Sequence, residues 1–480
     1  MRITTARCPM LFAALSLSLT LTGCFAKIHP LPVHTQTSSP IFAPLADEPT
    51  LVGLAVSGGG SRAATFAAGV LEALAGIPIS GGQEPRSALE AVTHMSSVSG
   101  GSLATAYFAM KKPPHTTAAL EGTRLSPPYE RFFTKFKEDM QINFQRRAFF
   151  TQMSKFRAFN PTKSAYSFAD VWNDAFFDEA SFSDLYEREK KKDAPQIILN
   201  GTIYNSGRRL AMTTLAPSDF SFEFAAELRA KLAENEQQFT KEGRAGYDKS
   251  LRHAKTQFIP QTFEGLAANH HTLPIALAVA TSASFPPVVG PVTYQTDGGP
   301  AFTHVGDGGL FDNLGTESLI TLFLNKLKHN SGGVKKALIL VIDASYPFEE
   351  GNADLDRNDK GFEVFVEDPS RIVGIMEERA NAYQAMLWHS IRAQTTLLPD
   401  YDHLKLIILK HTEAEWRAGD PIPEACPQTM TTADIAQTIR SIPTMFKIED
   451  PCHGALLIAA AHKVVEKQRQ RIVDFLHVSQ

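Results

Sequence analysis

Cysteine is scarce in this 480-residue chain: four in all, with Cys8 and Cys24 in the first two dozen residues. That is too few for a scaffold built on disulfides. Cys426 and Cys452 could make one bridge in an oxidising compartment or stay as free thiols, and both readings stand at this level. A charge excess is also missing: 47 Lys and Arg against 51 Asp and Glu leave a formal net charge of -4. Nucleic acid is therefore not an expected partner, since that would need a strong basic excess or a basic face. No HExxH, CxxC pair or carboxylate cluster points to a metal, and no Gly-Lys-Ser/Thr follows a glycine run as a nucleotide phosphate loop requires. Neither metal nor organic cofactor is expected.

What is present begins with an export pattern. Arg2 and Arg7 form a short basic head, and Met10–Leu21 is an apolar run broken only by Ser and Thr. That run is too short to span a bilayer, which takes about 20 apolar residues; it has the length of a signal-peptide core. Leu21-Thr22-Gly23-Cys24 resembles the bacterial lipobox. The resemblance implies that 1–23 is a leader and that Cys24 becomes the lipid-modified first residue, anchoring the chain to a membrane. The polar Pro/Ser/Thr stretch of 24–50 reads as a tether. Phe25 follows the Cys and no Asp appears there, which by resemblance to Gram-negative lipoproteins places the chain at the outer membrane of the cell envelope.

The body alternates strands and helices. Leu51–Ser57 is an apolar run ending in three glycines, and Arg62–Leu74 is rich in Ala and Leu. This predicts strand, glycine turn, helix, with unpaired N–H groups at the helix start. Ala91–Val98 reads as a second strand and Ser102–Phe108 as the helix after it. Pro195–Tyr204, Lys336–Asp343 and Leu404–Leu409 read as further strands, and Leu273–Ala280 as a helix or buried segment. Arg371–Leu397 and Ala455–Leu476 carry long helical patterns. The alternation predicts an α/β fold with a mainly parallel sheet and helices on both faces. Residues 51–324 read as the catalytic core, with insertions near 127–160 and 220–261, and 325–480 as a continuation of the same body. The first insertion is rich in Phe and in basic residues. It reads either as a lipid-touching surface, with Phe132, Phe136 and Phe144 exposed, or as a helix pair covering the core.

Three motifs carry chemistry. Ser97-Val98-Ser99-Gly100-Gly101 has the small-x-Ser-x-Gly shape of a nucleophile elbow, where little bulk beside the serine allows a sharp strand-to-helix turn. Ser96, Ser97 and Ser102 are rivals by composition; Ser99 stands between the apolar strand and the glycines. Ser57-Gly58-Gly59-Gly60-Ser61-Arg62 exposes successive backbone N–H groups, a nest suited to an oxyanion. Gly306-Asp307-Gly308-Gly309-Leu310-Phe311-Asp312-Asn313 sets a short acid among glycines, where a carboxylate can reach and deprotonate a serine hydroxyl. An Asp-Gly turn is the plain alternative, and Asp297 opens a similar but poorer motif. Asp312 and Asn313 are expected to cap the next helix. His94 and His304 are the histidines near enough in sequence to be rival bases. Arg62 cannot accept a proton and is expected to support the glycine turn or an anionic head group.

Together these motifs resemble the patatin-like phospholipases over roughly Leu51–Leu324, and also the related cytosolic phospholipase A2 core. The resemblance implies a patatin-like three-layer fold. It implies that Ser99 is the nucleophile and Asp307 its dyad partner, without a histidine. It puts the oxyanion hole at Gly58, Gly59, Gly60 and Gly100, with Ser61, Arg62, Gly101, Gly308 and Gly309 in support. The segment Ala280–Pro287, ending in Phe-Pro-Pro, matches a family segment expected to line the site. Ala63 and Ser97 depart from the usual glycines, which loosens the inference about the preferred acyl group. The expected substrate is a phospholipid or other acyl ester, cleaved as by a phospholipase A or lysophospholipase. A general lipase or thioesterase, and a weakly active envelope lipoprotein that binds acyl chains or a protein, are the alternatives.

Overall fold

The computed structural model describes residues 26–33, 49–79, 86–157, 160–220, 256–257, 259–286, 289–296, 301–329, 333–345, 382 and 403–477. The leader, Cys24, most of the expected tether, most of the 220–261 insertion, Pro287, Asp297 and the Arg371–Leu397 pattern lie outside the described residues.

Nine strands build the central sheet: β1 (Ile28–Leu31), β2 (Thr50–Val56), β3 (His94–Ser97), β4 (Gln196–Ile203), β5 (Arg208–Thr213), β6 (Val292–Thr296), β7 (Phe302–Asp307), β8 (Lys336–Asp343) and β9 (Leu404–Lys410). The short pair Gln261–Thr262 adds a further strand beside β5. The path across the sheet is β1-β6-β7-β4-β3-β2-β8-β9. Pairing is parallel from β4 through β3, β2 and β8 to β9. It is antiparallel where β7 meets β4 and β6, and where β5 meets β4.

Alternation along the strands makes the layers, because successive side chains point to opposite faces. Leu338, Leu340 and Ile342 of β8 join Val52, Leu54 and Val56 of β2 in one apolar cluster with Phe66 and Val70 of α1 (Gly60–Ala75). The intervening Ala337, Ile339 and Val341 join Leu51 and Ala55 in a second cluster with Leu319, Leu322 and Phe323 of α8 (Thr316–His329). The result is helix, sheet, helix, as the alternation of strands and helices in the sequence predicts. Each such buried Leu, Val or Phe stabilises the layers by about 1.5–3 kcal/mol. The first layer continues with α2 (Gly100–Lys111), α3 (Pro127–Met140), α4 (Phe144–Ser154), α5 (Ser164–Trp172), α6 (Phe182–Lys190) and α7 (Ile275–Ser282), followed after α8 by α9 (Thr432–Ser441) and α10 (Pro451–Leu476). Helix α10 lies on α1, where a Cβ on Gly69 would sit 2.8 Å from the Ala461 Cβ, so Gly69 sets how closely the two helices approach.

Three expectations are altered or settled. Residues 28–31, read as part of a tether, form an edge strand parallel to β6. Pro30 suits that place, because an edge strand can spare an N–H. Phe132, Phe136 and Phe144, read as lipid-facing, are buried. Tyr107 of α2 stacks on Phe136 at 4.6 Å, so the Phe stripe of α3 points into the body, while Phe149 and Phe150 of α4 are exposed. Cys426 and Cys452 form a disulfide, tying a loop to the first turn of α10. Among the described residues no helix is long and apolar enough to cross a membrane.

Candidate active site

Strand β3 ends in a turn that only a constrained residue could make. Ser99 has φ 53° and ψ -121°, a left-handed conformation that costs a non-glycine residue about 1–3 kcal/mol. The surroundings hold it there. The Ser99 N–H donates to the Ser282 carbonyl at 3.2 Å and to its hydroxyl at 3.1 Å. Gly101 N–H donates back to Val98 O at 2.9 Å, and α2 begins at Gly100. The strain points the Ser99 side chain off the strand end, with 8% of the residue still exposed.

The glycine turn after β2 is locked against this serine turn. A Cβ on Gly100 would lie 2.0 Å from Gly60 O, and one on Gly101 would lie 2.5 Å from Ser57 O. A Cβ on Gly58 would come 3.5 Å from that of Ser99. Gly59 and Gly60 have φ of 136° and 60°, which glycine adopts without penalty. Gly59 is the N-cap of α1, and Gly60 and Gly100 open α1 and α2. Helix-start N–H groups have no intrahelical acceptor, so these three are available to an anion beside Ser99. Gly58 differs from expectation. Its N–H donates to Asn313 O at 2.9 Å, so it holds the aspartate loop in place and is not free for a ligand.

Arg62 lies directly behind the turn and is 1% exposed. Its Nε donates to Ala344 O at 3.0 Å, Nη1 to Ile442 O at 2.6 Å and Nη2 to Thr444 Oγ1 at 2.9 Å. It braces α1 against the end of β8 and the 442–446 loop. Burial leaves it no route to a head group, and of the two expected roles only support fits. Ser61 contributes its N–H to Met445 O at 2.7 Å.

Asp307 reaches Ser99 through strand register. On one edge of β4, β5 pairs continuously from Ile198 to Ile203. The other edge is shared: β3 runs up it, ending with Ser97 opposite Leu199, and β7 runs down it, ending with Asp307 opposite Gly201. The two strands meet head-on across Asn200. The segment around Ser282 stitches the junction: Gly308 N–H donates to Ser282 O at 3.3 Å and Asp307 N–H to Ser284 O at 3.1 Å. The sequence expectation that Ala280–Pro287 lines the site is met by its described part.

The Asp307 carboxylate accepts the Gly309 N–H at 2.8 Å, and the Ser99 hydroxyl lies near enough to favour its ionised form. Burial dominates the electrostatics. It pushes Asp307 from an ordinary 3.8 up to about 7, and the Gly309 N–H and the nearby Ser99 hydroxyl only partly oppose it. Tyr204, whose hydroxyl lies against Gly306, is raised by burial and then by the Asp307 charge. Gly308 is needed because a Cβ there would meet Asn200 O at 2.5 Å.

The rival residues fall elsewhere. Ser96 Oγ accepts from Asn200 Nδ2, Ser97 Oγ donates to Ile198 O, and Ser102 Oγ bonds Ser97 and Ser282; all three are fully buried. His94 is fully buried at the start of β3, edge-on to Phe323, and burial lowers its pKa to about 3. His304 bonds Thr293 Oγ1 at 2.9 Å. It sits three residues before Asp307 on one strand, and an odd spacing points the two side chains to opposite faces. Asp312 accepts the Leu314 and Glu317 N–H groups and caps α8, as expected. Among the described residues no group of three His, Cys, Asp or Glu is placed to hold a metal ion.

Asn200 is the residue the sequence reading missed. Its amide donates to Ser96 Oγ and Ser97 O, its side-chain oxygen accepts from Ser318, and its carbonyl accepts from Ser282. A lone Asn in the middle of an apolar strand, QIILNGTIY, is the signal that could have found it, since a buried amide needs partners.

The family model described as patatin-like phospholipase matches residues 54–320. Among solved structures the chain is similar to a human GIVD cytosolic phospholipase A2, at 11% identity and a TM-score of 0.47, over 90% of this chain and 60% of that one. A second structure of that enzyme, with methyl gamma-linolenyl fluorophosphonate and terbium chloride, matches at 13% identity and a TM-score of 0.44, over 98% of this chain and 64% of the other. The chain thus spans less than two thirds of these human chains. No curated protein matches it. The family match takes in more than half of the chain and all three motifs, from the end of β2 to the start of α8, and the chain belongs to the patatin-like phospholipase family.

Proposed function

We propose that the protein is a serine acyl-ester hydrolase of membrane lipids, of phospholipase A or lysophospholipase type, with Ser99 as nucleophile and Asp307 as its base. The observation that carries this is a strained serine beside a buried carboxylate whose pKa is raised to about 7. An ordinary carboxylate is too weak a base for a serine hydroxyl; burial moves this one toward the operating pH. Asp307 takes the hydroxyl proton as Ser99 Oγ attacks the ester carbonyl carbon. The carbonyl electron pair moves onto oxygen, where the N–H groups of Gly59, Gly60 and Gly100 stabilise it. Collapse expels the alcohol, which leaves with the proton from Asp307. Water then repeats the sequence on the acyl-serine, releasing the fatty acid and restoring Ser99.

The test is labelling with a fluorophosphonate and product analysis on mixed phospholipid vesicles. Wild type should be labelled and should release fatty acid; Ser99→Ala and Asp307→Asn should do neither while remaining folded. A labelled, active S99A protein would end this reading.

Cys24 is proposed as the lipid-bearing N-terminus of an envelope protein at the outer membrane. The lipobox supports this, and so does the Cys426–Cys452 bridge, which suits an oxidising compartment. Palmitate should label wild type and not Cys24→Ala; equal labelling would remove the anchor.

A further inference from the structure

Helix α4 is amphipathic in the wrong sense for a helix that only covers a core. Phe144 and Ala148 are buried, but Phe149, Phe150 and Met153 are 56%, 57% and 50% exposed, and Phe156 just beyond is 73% exposed. With Arg146, the residues 149, 150 and 153 follow the spacing of one helical face. Phe156 has φ 53°, a left-handed conformation unfavourable for a bulky residue, and it carries its ring outward. Phe149 and Phe150, whose rings meet edge-on at 5.8 Å, with Met153 on the same helical face and Phe156 exposed just beyond it, call for a partner.

Charge says which kind. From 141 to 163 the chain has Arg146, Arg147, Lys155, Arg157 and Lys163 and no acid. Arg146 lies 5.8 Å over the Phe150 ring. Lys155 and Arg157 share one carboxylate, Asp170, at 2.6 Å each. Apolar rings with a cationic surround fit a bilayer interface with anionic head groups, where rings enter the acyl boundary and cations meet phosphate. The patch is also tied to the site. Phe446 O accepts the N–H of Phe144 at 2.9 Å, and the neighbouring Met445 O accepts that of Ser61. One short backbone stretch thus fixes both the start of α4 and the glycine turn.

Lys27, near the start of the described residues, lies beside the same cations. Lys27 N–H donates to Thr162 Oγ1 at 3.2 Å, and its ammonium, 3.8 Å from the Tyr166 ring centre, feels Arg157, Asp170 and Lys155. We propose that Phe149, Phe150, Met153 and Phe156, with Arg146 and Arg147, dock on an anionic phospholipid bilayer. They hold the glycine turn and Ser99 close to the membrane that supplies the substrate. This rests on the reading of the substrate as membrane lipid.

The experiment places a reporter in the patch. Phe150→Trp is made in the full chain with Ser99→Ala, so that vesicles stay intact, and is mixed with phosphatidylglycerol–phosphatidylcholine vesicles carrying brominated acyl chains. Ile408→Trp on edge strand β9, 52% exposed, is the control. Emission added by F150W should lose most of its intensity to bromine quenching and shift to the blue, while I408W emission stays. Arg146→Glu with Arg147→Glu should reduce that quenching, and more so at low salt. Quenching at 150 no greater than at 408 overturns the proposal. Equal quenching on pure phosphatidylcholine, or none lost in the charge-reversed protein, overturns its electrostatic half. Because no hydrolysis is measured, failure of the fluorophosphonate test with F150W still quenched would sink the hydrolase reading and leave this one.

Discussion

Gly100 rests on Gly60 with no room between them: a Cβ on the first would stand 2.0 Å from the carbonyl oxygen of the second. The serine turn and the glycine turn therefore act as one object. A methyl group at 100 can enter only by forcing them apart. Gly100→Ala should lose most of its reactivity toward a fluorophosphonate, with a stability cost of about 1–3 kcal/mol from overpacking. Labelling rate and urea unfolding measure the two effects; normal labelling in G100A would mean that the turns tolerate separation.

Activity should fall on the acid side of neutrality. With Asp307 titrating at about 7, the proposed base is lost as pH drops through that value. Below it, kcat/KM on a short soluble ester should decline about tenfold per pH unit. An acid limb near an ordinary carboxylate value would show that Asp307 is better solvated than its burial indicates.

The same group makes a stability prediction of definite sign. Its folded pKa is raised, so its contribution is full below the ordinary value of 3.8 and is lost as pH rises through about 7. Above that, the buried charge works against the fold. Asp307→Asn keeps an acceptor for the Gly309 N–H and removes the charge. It should raise the unfolding midpoint at pH 8, by on the order of 4 kcal/mol at most, and change little at pH 4. Equal midpoints of D307N and wild type at pH 8 would contradict this.

Asn200→Ala removes the amide that joins Ser96, Ser97 and Ser318. The orphaned partners should cost about 2–4 kcal/mol. Turnover should fall more than substrate binding, because the residue spaces the two strand ends and touches no ligand. Thermal melts and a separation of kcat from KM would check this, and an unchanged kcat would confine Asn200 to a structural role.

Reduction of Cys426–Cys452 frees a loop of 26 residues of separation. The loss should be about 3 kcal/mol, seen as a lower midpoint in dithiothreitol than without it. Cys426→Ser with Cys452→Ser should match the reduced protein, and an unshifted midpoint would refute the contribution.

Much of the site was legible because each motif is local. A strand running into Gly58-Gly59-Gly60, and another into Ser99-Gly100-Gly101, announce turns whose chemistry lies within six residues. What stayed hidden depends on who arrives from a distance. Which glycine N–H remains available was decided by Asn313, whose carbonyl takes the one at Gly58. Ile28–Leu31 gave no strand signal, being short and interrupted by Pro30, and its partner β6 is remote in sequence. Phe132, Phe136 and Met140 repeat every four residues, which marks a face but not its direction. Their burial against α2, and the exposure of Phe149 and Phe150 on the next helix, are tertiary outcomes.

Strand β4 works as a ruler. Ser97 is set at one graduation, Leu199, and Asp307 at another, Gly201, so the gap between the serine turn and Asp307 is read off a ladder of backbone bonds. Apart from β4 and the Ser282 segment that stitches the junction, the connecting chain contributes nothing to that measurement. Loops between β3 and β7 can lengthen, shorten or acquire new elements without moving the reacting pair. A single residue gained or lost between 199 and 201 would turn one partner to the other side of the sheet. Variation in substrate choice thus has wide latitude along this chain, and variation in the chemistry has almost none.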